Sequence, residues 1–194
     1  MNIGFIGIGY MGYGMAKNIL AKGYLLKFKA NTKRKAADDL ISRGATEVEN
    51  IQDLCRDIDV LQLCLPSSDQ VEDILIKKKA INFLKKDSVI IDSTTADPIS
   101  SEKIINICND NNIHFIDAPL GKTPAEAWSG KLDAIVGAKI EILEKIKPLI
   151  ECWAERIIHI GVPGSGHKLK LLNNMLSLSY YSLYYEALTI CKQS

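Results

Sequence analysis

Residues 2–12 have the sequence Asn-Ile-Gly-Phe-Ile-Gly-Ile-Gly-Tyr-Met-Gly, in which Gly7, Gly9 and Gly12 form a G-x-G-x-x-G pattern. The apolar run before Gly7 predicts a strand, and the amphipathic stretch 11–21 predicts a helix after it. In this position the first glycine permits a tight turn, the second lets the backbone approach a pyrophosphate, and the third lets the helix pack close to the strand. The stretch therefore predicts a dinucleotide-binding βαβ unit, with a glycine-rich turn that binds no ligand as the alternative. The predicted cofactor contacts of this loop are Gly7, Ile8, Gly9, Tyr10, Met11 and Gly12.

Beyond this unit, short apolar runs alternate with amphipathic stretches of helix length. The predicted strands cover residues 2–6, 25–30, 45–48, 59–65, 88–91, 113–117, 132–136 and 156–160. Strands and helices in alternation indicate parallel crossovers. The sequence therefore predicts an α/β fold with a doubly wound Rossmann-type sheet of about eight strands, covered by helices on both faces.

The last segment differs from the preceding helices in its apolar pattern. Residues 168–191 contain no proline or glycine and carry apolar side chains on nearly every face of the predicted helix. A helix that is apolar all round is normally buried all round. We therefore expect a Rossmann-type domain at 1–163, followed at 164–194 by a long helix whose apolar faces need a cover that this chain does not itself supply.

The composition excludes several kinds of partner. Twenty-four Lys and Arg residues nearly balance twenty-three Asp and Glu residues, so the net charge of +1 gives no field that would attract nucleic acid or an anionic membrane. The five cysteines are scattered without a CxxC motif, which is typical of a reducing compartment and indicates no metal site. The N-terminus begins directly with a strand, and we expect a cytoplasmic protein.

The end of the second predicted strand bears on the choice of cofactor. A carboxylate there would accept a hydrogen bond from the ribose 2′-hydroxyl of NAD and repel the 2′-phosphate of NADP. Residues 30–35 are Ala-Asn-Thr-Lys-Arg-Lys, which offer no carboxylate and three cations. The sequence therefore favours NADP, with NAD possible, and the alternative is a solvated basic start of the next helix. The predicted contacts are Asn31, Thr32, Lys33 and Arg34.

Further motifs occur in a fixed order along the chain. They are the glycine loop, Cys64-Leu-Pro-Ser67, Ile91-Asp-Ser-Thr-Thr-Ala-Asp-Pro98, Asp117-Ala-Pro-Leu-Gly-Lys-Thr123 with Gly130-Lys-Leu132 behind it, and Gly164-Ser-Gly-His-Lys-Leu-Lys-Leu-Leu-Asn-Asn174. In this order and spacing, over essentially the whole chain, the sequence resembles the 3-hydroxyisobutyrate dehydrogenase family, also called β-hydroxyacid dehydrogenases. The resemblance implies that Leu65, Pro66 and Thr95 contact the cofactor and that Thr94 lies beside them, toward the substrate. It also implies that residues 164–194 are the start of an interdomain helix, with the chain truncated before a second, all-helical domain, which we expect to be absent.

The same resemblance implies that Lys170 is the catalytic lysine and Asn174 its partner. Because these residues are four apart on a helix, their polar groups lie on one face, with Asn173 and Ser177 adjoining as candidate substrate contacts. The alternative is that Lys170 is one exposed helix lysine among several, a description that suits Lys168 better.

The substrate loop departs from the commonest family pattern, in which Ser-Gly-Gly follows Asp-Ala-Pro-Val. Here Gly121, Lys122 and Thr123 occupy the loop, which is more similar to the sulfolactaldehyde reductase branch with its Gly-Arg-Thr. A lysine keeps the charge but lacks the bidentate fork of an arginine. These three residues are the candidate clamp for an anionic substrate group. A phosphate-binding P-loop is excluded, because the glycine it requires five residues before Gly121 is replaced by Ile116.

Together these features predict an NAD(P)-dependent dehydrogenase or reductase that interconverts a small 3-hydroxy acid, or a sulfonate analogue, and its aldehyde or keto form. The alternative is a truncated dinucleotide-binding module with weak or no catalysis. The expected partners are the small anionic substrate and a second copy of the chain, paired through the apolar C-terminal helix. No nucleic acid and no membrane are expected.

Overall fold

The computed structural model describes residues 1–31 and 34–193, which form an α/β structure. Its strands are β1 (Asn2–Ile6), β2 (Leu25–Lys29), β3 (Thr46–Glu47), β4 (Val60–Leu63), β5 (Val89–Asp92), β6 (His114–Asp117), β7 (Leu120–Gly121), β8 (Leu132–Gly137) and β9 (Ala154–Gly161). Its helices are α1 (Gly12–Ala21), α2 (Arg34–Ser42), α3 (Ile51–Cys55), α4 (Ser68–Glu72), α5 (Ala80–Phe83), α6 (Pro98–Asp110), α7 (Pro124–Ser129), α8 (Ile140–Ile150) and α9 (Ser165–Gln193). A π-helical turn, Asp73–Lys77, follows α4 directly.

The strands form one mostly parallel sheet in the order β3-β2-β1-β4-β5-β6-β8-β7, with β9 paired to β8. This order confirms the predicted doubly wound fold, and each of the eight predicted strands is present. The two-residue strand β7 was not predicted, because so short a segment shows no periodicity. Strand β8 runs antiparallel to β6 and β7 rather than parallel. The reason is that β7 follows β6 after two residues, and the short helix α7 then turns the chain back along it.

Side chains from the two faces of the sheet enter two separate apolar clusters. In β1, Ile3 and Phe5 belong to the cluster that also contains residues of α1, α2 and α8. The next residue along, Ile6, belongs to the opposite cluster, with residues of α3 through α6. Successive strand residues point to opposite faces of a sheet. The largely apolar sequence of β1 is therefore explained by burial of the sheet on both faces.

The long helix α9 is buried only at its beginning. Gly166 and His167 are buried against β8 and the end of β6, whereas the apolar side chains from Leu169 onward are between 37% and 68% exposed. The sequence pattern predicted a helix apolar on nearly every face, and the described part of the chain covers little of it. Among the helices that the structure describes, none combines the length and hydropathy needed to cross a membrane.

Candidate functional site

A cleft of about 740 Å³ opens where β1, β2 and β4 end, at the point where the strand order reverses direction. Ligands of open α/β sheets bind at such switch points, beyond the carboxyl ends of the strands. The cleft is lined by residues at the ends of the three strands. They are the predicted loop residues Gly7, Ile8, Gly9, Tyr10, Met11 and Gly12, then Lys29 at the end of β2 with Ala30 and Asn31 after it, and Cys64, Leu65 and Pro66 after β4. The structure thus brings most of the predicted cofactor contacts together.

Another part of the cleft lining was missed by the sequence analysis. Gln70 of α4, Asp73 and Ile74 of the π-helical turn, and Lys78 just after it line the cleft together with Ile51. Helical periodicity predicts an ordinary helix over such a stretch, and no pattern in the sequence signals a π-turn. Such turns are rare and occur often at functional sites, so this segment would have been found only from coordinates.

The three glycines of the loop differ in what surrounds them. A Cβ on Gly7, whose φ is +103°, would lie 2.1 Å from the carbonyl oxygen of Cys64, and one on Gly12 would lie 2.0 Å from the carbonyl oxygen of Gly7. A Cβ on Gly9 would meet nothing within 4 Å. Packing therefore requires the first and third glycines, while the second leaves open space on the cleft. This is the division of roles expected for a loop that admits a pyrophosphate.

In the basic segment after β2, the described residue Arg34 is less available than the sequence suggests. Asn31 lines the cleft and is exposed, whereas Thr32 and Lys33 lie outside the described residues. The guanidinium of Arg34 donates both terminal nitrogens to the two carboxylate oxygens of Glu47, at 2.9 and 2.7 Å, and its Nε to Asp38 at 2.8 Å. These contacts raise the pKa of Arg34, and the paired guanidinium lowers the pKa of Glu47.

The loops after β4 and β5 are braced against each other by Thr94. Its hydroxyl accepts a hydrogen bond from the Leu65 amide at 3.1 Å, and its own amide donates to Asp92 Oδ1 at 2.9 Å. Thr94 is only 1% exposed. Its side chain therefore holds the loop after β4, whereas the resemblance implied that it would face the substrate. The neighbouring Thr95 is exposed.

Beneath these loops lies a buried polar cluster that the sequence analysis did not find. Asp117 accepts from the amides of Gly164, at 2.5 Å, and His167, at 2.7 Å, while His167 Nδ1 lies 2.7 Å from the hydroxyl of Ser101. Asp92 is also fully buried, and that burial raises its pKa. These hydrogen bonds tie the end of β6 and helix α6 to the beginning of α9. Asp92, Asp117 and His167 each lie in one of the motifs of the sequence analysis, but they are far apart in sequence, so no single motif shows that they meet.

Helix α9 presents the two predicted catalytic side chains together. Lys170 and Asn174 are both partly buried, whereas Lys168 and Asn173 are exposed. Burial lowers the pKa of Lys170. Ser177 is exposed, and its hydroxyl donates to the carbonyl of Asn173 within the helix, at 2.8 Å. Among the described residues that line the cleft, neither Lys170 nor Asn174 is found.

The predicted substrate loop is held by contacts of its own. The ammonium group of Lys122 lies 3.0 Å from Glu155 and 3.1 Å from Asp133, and it donates to the carbonyl of Lys131. Thr123 is the N-cap of α7 and forms a capping box with Glu126. Gly121 lies in β7, paired with Asp133. The structure therefore does not bring Lys122 and Thr123 to the cleft, and Lys122 would have to exchange two carboxylates for a substrate anion.

Comparison with known proteins identifies the family to which the domain belongs. The family described as the NAD binding domain of 6-phosphogluconate dehydrogenase matches residues 2–161. A 3-sulfolactaldehyde reductase of Escherichia coli is 32% identical over 192 residues, covering 98% of this chain and 64% of that protein. An NAD-dependent L-serine dehydrogenase of Pseudomonas aeruginosa is 33% identical over 175 residues, covering 90% of this chain and 58% of that protein.

Among solved structures, that of Psf3 in complex with NADP⁺ and 2-OPP superposes with a TM-score of 0.82 at 30% identity, covering 90% of this chain and 62% of that one. The family resemblance inferred from the motifs is confirmed by these matches. The chain spans less than two thirds of the length of the curated relatives.

Proposed function

The chain belongs to the family of NAD binding domains of 6-phosphogluconate dehydrogenase type, and from that premise we propose that it is the dinucleotide-binding part of an oxidoreductase. The reaction proposed is the interconversion of a small 3-hydroxy acid, or a sulfonate analogue, and its aldehyde or keto form. The observation that carries the proposal is the open space at Gly9 on a cleft whose other glycines are fixed by packing. Residues 1–163 would form the binding domain, and 164–194 would begin an interdomain helix.

The cleft residues fit the pyrophosphate of a dinucleotide and the nucleoside groups beside it. The loop from Gly7 to Gly12 would bind the pyrophosphate through backbone amides, with the start of α1 beside it. Leu65 and Pro66 would pack against the cofactor, and Thr95 would lie near the nicotinamide ribose. Bound NAD(P) supplies the hydride acceptor or donor. We propose NADP as the preferred cofactor and NAD as an accepted one. The NAD-dependent L-serine dehydrogenase and the protein solved in complex with NADP⁺ have similar sequence identity to this chain, 33% and 30%.

Lys170 would exchange the proton of the reacting oxygen. When the carbonyl is reduced, the protonated amine donates to the developing alkoxide, and in reverse the neutral amine accepts the proton. Partial burial lowers the pKa of Lys170, which brings the two protonation states closer in population near neutral pH. Asn174, one turn further along α9, would orient the amine or the substrate oxygen. The backbone at Gly121 and the Lys122 ammonium remain the candidates for the anionic group.

A second function, dinucleotide binding without turnover, is favoured by one observation. Lys122 and Thr123 are engaged in their own loop, and Thr94 is buried, so a complete substrate pocket is not assembled by the described residues. Calorimetric titration with NADPH, followed by assays of NADPH oxidation with three-carbon acid semialdehydes and sulfolactaldehyde, distinguishes the two. Binding with turnover supports the oxidoreductase, binding alone supports the module, and absence of binding contradicts both.

The partners of the chain follow from its surface. We propose that the exposed apolar side chains of α9 pair with those of a second copy, because one face can cover its own equivalent about a two-fold axis. The free cysteines, of which Cys55, Cys108 and Cys152 are buried, support a reducing compartment. We propose the cytoplasm.

A further inference from the structure

The contact between Arg34 and Glu47 lies near the end of β2, where a dinucleotide-binding fold distinguishes NADP from NAD. Glu47 is the last residue of β3 and is in register with Phe28 of β2, while Arg34 begins α2 five residues after Lys29, the last residue of β2. Each of the three guanidinium nitrogens has a carboxylate partner, two on Glu47 in the parallel fork and one on Asp38. This is the strongest geometry available to an arginine and a carboxylate.

The contact changes the charge that a ligand would meet. The sequence offers cations and no carboxylate at the end of β2, whereas the fold supplies a carboxylate from the neighbouring strand. Arg34 together with Glu47 and Asp38 carries a net charge of about −1 by formal charge counting. Two further cations on the cleft also have partners, since Lys29 donates to the backbone carbonyl of Glu49 and Lys78 forms an ion pair with Asp73 at 2.7 Å. A 2′-phosphate would therefore have to compete for Arg34.

We propose that Glu47 is a specificity-determining residue, which holds the Arg34 guanidinium and so limits the preference of this chain for NADP over NAD. The inference rests on the proposed dinucleotide binding. It accounts for the role of a residue that no cofactor motif includes. Removing the carboxylate frees the arginine fork for a 2′-phosphate, the ligand to which its planar donors are suited, while NAD, which has only a hydroxyl there, gains nothing.

The test is calorimetric titration of the full chain with NADP⁺ and with NAD⁺ at one fixed ionic strength. We expect Glu47→Gln to tighten NADP⁺ binding by about threefold to tenfold. A change of this size corresponds to the free energy of one partly exposed ion pair between the freed arginine and the phosphate. The Kd for NAD⁺ should change by less than about twofold. Asp38→Asn is the matched control, because it removes a carboxylate but leaves the fork with Glu47 intact, and its effect should be smaller.

The role of Arg34 itself is tested in a double variant. In an Arg34→Ala background, Glu47→Gln should no longer improve NADP⁺ binding. A gain that persists without Arg34 would show a general field effect and overturn the proposal, as would an equal gain for NAD⁺ or no gain at all. Glu47→Thr, which suits a strand, is the second variant should the glutamine form unfold. If the wild-type chain binds neither dinucleotide, the proposed function itself fails, a result distinct from binding without a change in preference.

Discussion

The carboxylate oxygen Oδ2 of Asp117 lies 2.7 Å from the backbone nitrogen of His167, and its other oxygen accepts from the amide of Gly164. The end of β6 thus caps the first turn of α9, whose amides have no partner within the helix. Lys170 follows His167 by three residues on the same helix. The side chain of Asp117 therefore fixes where α9 begins, and with it the position of the proposed catalytic lysine relative to the ends of the strands.

Replacing this cap should destabilise the fold. We expect Asp117→Ala to lower the free energy of unfolding by about 2 kcal/mol, because two buried backbone amides lose a charged acceptor. Urea denaturation followed by circular dichroism measures the change. Asp110→Ala, at the exposed end of α6, is the matched control and should stay within about 0.5 kcal/mol of wild type. Equal effects of the two substitutions would exclude a capping role.

The two lysines at the start of α9 should behave differently. We expect Lys170→Ala to abolish any reductase activity and to leave the Kd for NADPH within about twofold, because the amine acts on the substrate oxygen and not on the dinucleotide. Lys168→Ala should change neither quantity appreciably, since Lys168 is exposed. Steady-state assays and calorimetry on the same preparations provide both measurements. Similar losses in the two variants would contradict the assignment of Lys170.

The sequence predicted the parts of this molecule that local chemistry determines. The glycines of the cofactor loop, the alternation of strands and helices, and the apolar pattern of α9 each depend on neighbours within a few residues. The positions of Gly7 and Gly12 follow from that local pattern, and the structure shows the packing that makes them necessary.

The rest depended on contacts between distant segments. Arg34 was predicted as a cofactor contact, and its pairing with Glu47 could not be foreseen because Glu47 lies on another strand. Thr94 was predicted to face the substrate, but the amide of Leu65, which belongs to a different loop, holds its hydroxyl inside. The role of Asp117 in capping α9 could not be inferred either, because its partners lie 47 and 50 residues further along the chain. Side-chain direction and availability are decided by such contacts.

Substitutions of the loop glycines should distinguish residues needed for cofactor binding from residues needed for stability. We expect Gly9→Ala to weaken NADPH binding by at least about tenfold, because its methyl group would occupy the space proposed for the pyrophosphate, and to leave stability nearly unchanged. Gly12→Ala should instead lower the thermal midpoint, since its Cβ would meet the Gly7 carbonyl at 2.0 Å. Calorimetry and thermal denaturation of both variants give the comparison. Normal NADPH affinity in Gly9→Ala would place the pyrophosphate elsewhere.

We expect NADPH to bind the wild-type chain more tightly than NADH. The end of β2 carries no carboxylate to accept from a ribose 2′-hydroxyl, and Asn31 on the cleft wall can donate to a phosphate. Because Arg34 is held by Glu47, the preference should be modest, on the order of a few-fold. Titrations with both reduced cofactors in one buffer measure it, and equal or stronger binding of NADH would refute the prediction.

Self-association through α9 is the last expectation. Leu172 and Leu176 are 54% and 66% exposed, and further leucines and tyrosines extend the apolar surface along the helix. Burying each such side chain is worth roughly 1.5 to 3 kcal/mol, and soluble monomers seldom leave a contiguous apolar patch of this size bare. Pairing with the same helix of a second chain about a two-fold axis would cover the patch with its own copy.

Sedimentation velocity at micromolar concentration should therefore show a dimer or larger species for the wild-type chain. The double substitution Leu172→Glu and Leu176→Glu should shift it to monomer, because two charges would have to be buried at the contact. Ile99→Glu, an equally polar change at a residue 77% exposed on α6, is the control and should leave the assembly intact. A wild-type monomer whose amides between residues 170 and 188 are nevertheless protected from exchange would rule out pairing, because the helix would then be stable without any partner.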